Sequence, residues 1–386
     1  MSDYRGDEPL EEFGGGNGSN AHSAFIIATP GQLKRLVIES RKNNFKGKYF
    51  LLATDFRIIS DAWEPIGSTP AHSFNGIFNG GGHTIKGALH NTHGQKLFGF
   101  FGYLKDATVT NLIMETDIHN MADNTVYCYA GGIAGYSNRS TIIECQNTGN
   151  IKTAMTGSIY TGGIVGISYN HSMISHCINK GEIYGESTQN IYIGGIAGDS
   201  TTCSAIMDCI NMGSTKGASS SVEDANETYI GGISGRNSQN SYLIHCINHG
   251  TVAGNSKYTF SYVGGISGQN TYYCSIKNCS NLSTAIECNG KIAYAGGIVG
   301  NNDTGSIIDF CKNQAIITSL GGFYSYSGGI VGLNTGSYIY DCCKNSGIIN
   351  KKEPTEENNF LRAGGNVSAI TACPNKHENA EIQGHL

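Results

Sequence analysis

The chain has 386 residues with 54 Gly, only 6 Pro, 13 Cys and 14% charged side chains, a turn-rich composition that excludes a charge-driven disordered polymer and a collagen. A net charge of -5 with Lys and Arg scattered along the chain lacks the basic stripe of a nucleic-acid binder, so nucleic acid is not an expected partner. No apolar run reaches the ~20 residues of a membrane-spanning helix, and the opening residues have neither the basic nor the apolar region of a signal peptide, which a mature form would have lost.

In chain order, residues 1–23 carry Asp7, Glu8, Glu11, Glu12 and Gly14-Gly15-Gly16 and read as a flexible acidic tether. Residues 24–120 lack a period and are rich in aromatics, the natural place for an N-terminal cap. There, Thr29-Pro30 followed by Leu33, Leu36 and Val37 predicts an N-cap, a proline in the first turn and an apolar face, a short helix ending near Lys42-Asn43-Asn44. Leu97-Phe98-Gly99-Phe100-Phe101-Gly102 reads as a first, atypical coil. From residue 121 to 350 the phrase Tyr-x-Gly-Gly-Ile-x-Gly begins at Tyr129, Tyr160, Tyr192, Tyr229, Tyr262, Tyr294 and Tyr326, at spacings of 31 to 37 residues. Cys-x-Asn follows in register from Cys145/Asn147 to Cys373/Asn375. Residues 351–386 hold a degraded copy, with Arg362 in the tyrosine place, expected to cap the array.

A period near 32 residues, with short β-branched segments punctuated by Gly and Asn, excludes helical repeats. It predicts an all-β fold: a right-handed parallel β-solenoid of about eight coils, stacked at ~4.8 Å. Every repeat position then becomes a column of like residues. The column before the cysteines, Glu144, His176, Asp208, His245 and Asn278, is polar and is expected outside, which turns Cys and Asn inward by period-2 alternation. Inward Asn side chains can bond their counterparts above and below as an amide ladder. Ile133 through Ile330 supply the main aliphatic column, and the paired glycines mark a tight bend or a close backbone approach. Eight cysteines in one column point their side chains in parallel, so free thiols are expected.

Four groups are candidates for chemistry. The tyrosine column shares parity with the core isoleucines, unless a bulge at the Gly-Gly bend flips it outward; stacked rings at a rim would suit a sugar or a protein partner. Glu144, His176, Asp208 and His245 alternate carboxylate and imidazole, as acid-base work or a divalent metal would need, and equally as an exposed column avoids like-charge stacking. His90 and His93 share a His-x-x-His spacing without a third ligand. The column cysteines are expected to be buried and inert. No catalytic residue, cofactor or metal is assigned.

Gly132-Ile133-Ala134-Gly135 and its six counterparts resemble the GLUG motif. Trp63-x-Pro65-Ile66-Gly67, Phe74-Asn75-Gly76-x-Phe78-Asn79-Gly80 and Leu97-Phe98-Gly99 resemble the entry into such repeats in bacterial surface proteins, and the acidic start resembles the stretch that follows the lipidated cysteine in surface lipoproteins of Bacteroidetes. The resemblance implies a non-enzymatic, adhesin-like binding or display module, secreted or on the cell surface as an outer-membrane lipoprotein, meeting the membrane only through an N-terminal lipid anchor. Its implied partner is a host or bacterial surface glycan or protein. GLUG repeats also accompany immunoglobulin A-cleaving metallopeptidases, but this sequence has no His-Glu-x-x-His, so that chemistry is not carried over. A carbohydrate-active β-helix enzyme, a lyase or hydrolase, is the alternative, and a structural spacer is a third reading.

Overall fold

A computed structural model describes residues 1–59, 63–91, 94–121, 126–221, 226–340, 342–349 and 370–371. One coil of the repeat shows how the sequence folds. Ala134–Asn138 forms a first face and Thr141–Ile143 a second; Gln146–Asn147, Ile151–Met155 and Ser158–Gly162 form a third, after which Gly163 and Ile164 lead into the next coil. Each strand pairs in parallel and in register with its counterpart one coil on, as Ile142 with Ile174 and Ile159 with Ile191. Among the described residues the three faces hold 8, 13 and 22 strands. The fold is a parallel β-solenoid of about nine turns, with one short α-helix among the described residues.

The interior is built of columns. Ile133, Ile164, Ile196, Ile233, Ile266, Ile298 and Ile330 are completely buried, and so are Ile142, Ile174, Ile206, Leu243, Ile276 and Ile308 of the second face. Cys145, Cys177, Cys209, Cys246, Cys279 and Cys311 are equally buried and free. Each thiol lies near the carbonyl two residues before it, as Cys177 Sγ does to Ser175 O at 3.3 Å. The expected amide ladder is present. Nδ2 of Asn147 donates to Oδ1 of Asn179, Asn179 to Asn211, Asn211 to Asn248, Asn248 to Asn281, Asn281 to Asn313 and Asn313 to Asn345, all at 2.7–2.9 Å. Most of these amides also donate to the carbonyl of the glycine two residues on, as Asn179 does to Gly181 at 2.9 Å. Both amide protons are thereby satisfied inside the core.

The paired glycines explain themselves at Gly195. A Cβ there would lie 2.2 Å from Asn211 Cγ and 2.3 Å from Gly232 O, closer than any side chain permits. The Tyr-x-Gly-Gly-Ile phrase and the Cys-x-Asn phrase are therefore two halves of one contact across the interior.

The N-terminal residues add to the same stack. Phe25–Ile27, Tyr49–Leu52, Ile77–Asn79 and Thr108–Thr110 pair in parallel along the second face. The helix runs over Pro30–Glu39 with Thr29 as N-cap in a capping box with Gln32, and its buried Leu33, Leu36 and Val37 join the core. It ends at Glu39, ahead of the expected Lys42-Asn43-Asn44.

Residues 1–23 differ from the expected flexible tether. Ser2–Tyr4 pairs in parallel with Phe56–Ile58, Gly14–Gly15 pairs antiparallel with Phe25 and Ile26, and the Phe13 ring lies 5.1 Å from Phe25 and 5.6 Å from Phe50. The acids have partners too: Thr29 Oγ1 donates to Glu11 at 2.8 Å, and Arg35 pairs with Glu12 at 2.7 Å. Composition reads such a segment as a tether because it counts charges without seeing the helix they serve. At the other end Ile370–Thr371 pairs with Ile339 and Tyr340; the rest of the degraded copy expected over 351–386, Cys373 included, lies outside the described residues.

Candidate functional site

The tyrosine column stands on the outer side of the wall. In Tyr160-Thr161-Gly162, Thr161 is completely buried, as is Ile159, so alternation sends the Tyr160 ring outward. The Gly-Gly bend then resets the alternation, which brings Ile164 back into the core. Parity counted through the bend places Tyr and Ile together; the bend separates them, as the bulge alternative allows.

Once outside, the rings pack on one another. Tyr129, Tyr160, Tyr192, Tyr229, Tyr262, Tyr294 and Tyr326 stack at 4.5–5.4 Å between centroids, with planes 5–27° apart. Tyr192, Tyr229 and Tyr262 keep only 5–7% of their surface exposed. Facing them across the bend is a second outward column, Tyr103, Tyr136, Ile167, Asp199, Arg236, Gln269, Asn301 and Leu333, in register on the first face. The two columns form a concave corner along the solenoid axis.

The corner changes chemistry along its length. At its N-terminal end Tyr103 stacks on Tyr136 at 4.7 Å, and Tyr136 meets Tyr129 edge-on at 5.5 Å. In the middle the carboxylate of Asp199, 1% exposed, holds Arg236 at 2.6 Å, and the guanidinium lies 4.5 Å from the Tyr192 ring centre. Burial pushes the hydroxyls of Tyr129, Tyr136, Tyr160, Tyr192, Tyr229, Tyr262 and Tyr294 above the usual phenol range. Near neutral pH they are donors and acceptors of hydrogen bonds, not bases.

An open pocket of about 480 Å³ closes the N-terminal end of the corner, lined by Ser68, Thr69, Pro70, Gln95, Lys96, Leu97, Tyr103, Tyr129 and Tyr136. The reading of the sequence found its tyrosine column but neither Tyr103 and Tyr136 nor the two loops. Tyr136 is readable as the residue seven after Tyr129; the loops are brought in by the fold alone.

The Glu144, His176, Asp208 and His245 column is exposed as expected, for a different reason. Its members do not alternate along a strand; they sit at a corner with φ of 53–54°, a left-handed conformation that turns side chains out. His176 Nε2 and His245 Nδ1 lie 4.0 and 3.5 Å from the Asp208 carboxylate. His90 stacks on His119 of the next coil at 5.1 Å, and its expected companion His93 lies outside the described residues. Among the described residues no three His, Cys, Asp or Glu side chains gather in metal-binding geometry. Burial raises the Cys145, Cys177 and Cys279 thiols well above the ordinary range, so these are poor nucleophiles.

Comparison with known proteins follows the repeat. A family model for the GLUG motif matches residues 261–286, the stretch from Tyr262-Val263-Gly264-Gly265 to Cys279-Ser280-Asn281. The chain carries a GLUG motif. Among solved structures, a candidate immunoglobulin A1 protease from Bacteroides ovatus is similar over 91% of this chain and 84% of that one, at 18% identity and a TM-score of 0.50. At that identity the likeness shows the fold alone. No curated protein matches the chain.

Proposed function

We propose that this GLUG-motif solenoid is a non-enzymatic binding module of adhesin type, secreted or displayed on a cell surface, which presents its tyrosine-lined corner to a glycan or a protein. The observation that carries the reading is the corner itself: seven stacked tyrosines on parallel strands, facing a second column that includes Tyr103, Tyr136 and the ion pair of half-buried Arg236 with buried Asp199. Rigid aromatic surface fixed by sheet registry costs little entropy to immobilise on binding. The GLUG match and the β-solenoid neighbour from Bacteroides ovatus are compatible with a surface module.

A carbohydrate-active enzyme is the competing reading, favoured by the contacts of His176 and His245 with Asp208. A glycan array probed with the purified chain, followed by product analysis on every polysaccharide retained, separates the two. Retention without new reducing ends or unsaturated products is the expected result. Cleavage that disappears in Asp208→Asn would replace the binding module by the enzyme.

A further inference from the structure

The ladder that makes the corner rigid also restricts where a ligand can bind. A ring sandwiched between two others at 4.5–5.4 Å has both faces covered by its neighbours and offers only its edge and hydroxyl. Sugar recognition by aromatic side chains uses the flat face, so the interior rungs are unsuited to it. A face is left over only where a stack ends.

Two stacks end at one place. Tyr129 has Tyr160 on one side, and on the other its register partner is Leu97, an aliphatic residue. Tyr103 has Tyr136 on one side, while Ile66 and Phe74 bridge to its strand on the other and leave it 9% exposed, so Tyr129 is the more open of the two ends. Both ends border the pocket walled by Ser68, Thr69, Pro70, Gln95, Lys96 and Leu97. Its volume of about 480 Å³ lies within the ~300–1,000 Å³ usual for small-ligand sites.

The remaining lining supplies polarity of a particular kind. Lys96 is exposed and is the one charged residue among the nine that line the pocket; among the described residues no carboxylate lines the pocket to neutralise it. Ser68 and Thr69 bring hydroxyls. Gln95 accepts no hydrogen bond at Oε1 among the described residues, although that atom is shielded from water. An unmet buried acceptor is costly, and rotation of the Gln95 side chain toward the pocket would let a ligand hydroxyl meet it.

We infer that this end pocket binds a carboxylated pyranose, with the apolar face of the sugar ring against the Tyr129 end of the ladder, its hydroxyls on Gln95, Ser68 and Thr69, and its carboxylate on Lys96. The inference rests on the binding-module reading and deepens it, moving the site from the whole tyrosine column to one end of it.

Calorimetric titration of the whole chain with trigalacturonate, sialyllactose and lactose tests this. One or both acidic sugars are expected to bind, with lactose at least about tenfold weaker, the size of one charge-assisted contact. Lys96→Gln, a surface change that leaves the core intact, should remove that advantage; Tyr242→Ala, at an exposed tyrosine of the second face and outside the corner, should leave affinity unchanged. Which acid binds tells a hexuronate source from a sialic acid source. Equal binding of lactose, or an unaffected Lys96→Gln, overturns the inference. Loss in Tyr242→Ala with Lys96→Gln intact overturns it too. If none of the three sugars binds, the inference falls and the wider reading stands or falls on the glycan array.

Discussion

Asn211 shows why a single residue type recurs in this core. Its Nδ2 donates to Gly213 O and to Asn248 Oδ1, both at 2.8 Å, and its Oδ1 accepts from Asn179 at 2.8 Å. Because the carboxamide both gives and takes along the axis, each coil leaves its neighbour a donor or acceptor that only another carboxamide meets. Asn147, where the ladder starts, has a buried Oδ1 with no partner among the described residues, since Met114 holds the register position before it. Asn211→Leu keeps the volume and strands the groups on both sides; it should cost about 3 kcal/mol, read as a lower denaturant midpoint at unchanged slope. A loss below about 1 kcal/mol would show that the amides are not energetically coupled. The ladder was legible from sequence because a polar residue recurs at core parity, where satisfaction along the stack is the available solution.

At the scale of the strand and its column, a second ladder escaped the reading of the sequence. Asn237 donates to Asn270, Asn270 to Asn302 and Asn302 to Asn334 at 2.8–2.9 Å, eight residues after the repeat tyrosine, but in the earlier coils Ser137, Ser168 and Ser200 hold this place. A column that changes residue type halfway has no signature in a phrase search. The column at Ser140, Ser172, Ser204 and Ser241 was missed likewise. Ser241 N meets Cys274 Sγ at 3.2 Å, where Ser204 N meets Ser241 Oγ at 3.1 Å, so Cys274, irregular in sequence, substitutes for a serine. The junction of the second ladder gives a stabilising change. Ser200 Oγ and Asn237 Oδ1 are both buried without partners among the described residues and are in register. Ser200→Asn should extend the ladder by one rung and add about 1 kcal/mol, visible as a raised Tm. A lowered Tm would mean that the wall there has no room for the carboxamide.

Over the whole molecule, the buried thiols tie stability to alkali. Burial pushes the Cys128, Cys274 and Cys288 thiols up to about 12 from an ordinary value near 9. A folded-state value above the unfolded one means that folding favours the protonated thiol. This contribution is complete below pH ~9 and is lost between pH ~9 and ~12, at about 1.4 kcal/mol per pH unit for each thiol. Tm should therefore fall steeply above pH 9, and the buried tyrosine hydroxyls act in the same direction. A Tm that stays level to pH 11 would contradict the buried, neutral thiols. Iodoacetamide at pH 8 should modify exposed Cys203 in the native protein and reach the buried column only after denaturation.

The sequence by itself determined the period, the inward Cys and Asn columns, the Ile core and the capped helix, because each is a local or strictly repeating consequence of strand alternation and coil stacking. Tertiary structure alone decided the side on which the tyrosines stand, since parity is lost at a bend whose geometry depends on Gly195 and its counterparts meeting the Asn ladder. It also decided that Phe13, Glu11 and Glu12 pack the opening residues against the helix and the first coils. The end pocket came from the fold as well, because Ser68, Gln95, Tyr103 and Tyr129 lie on four separate stretches that only the stacking of successive coils brings together.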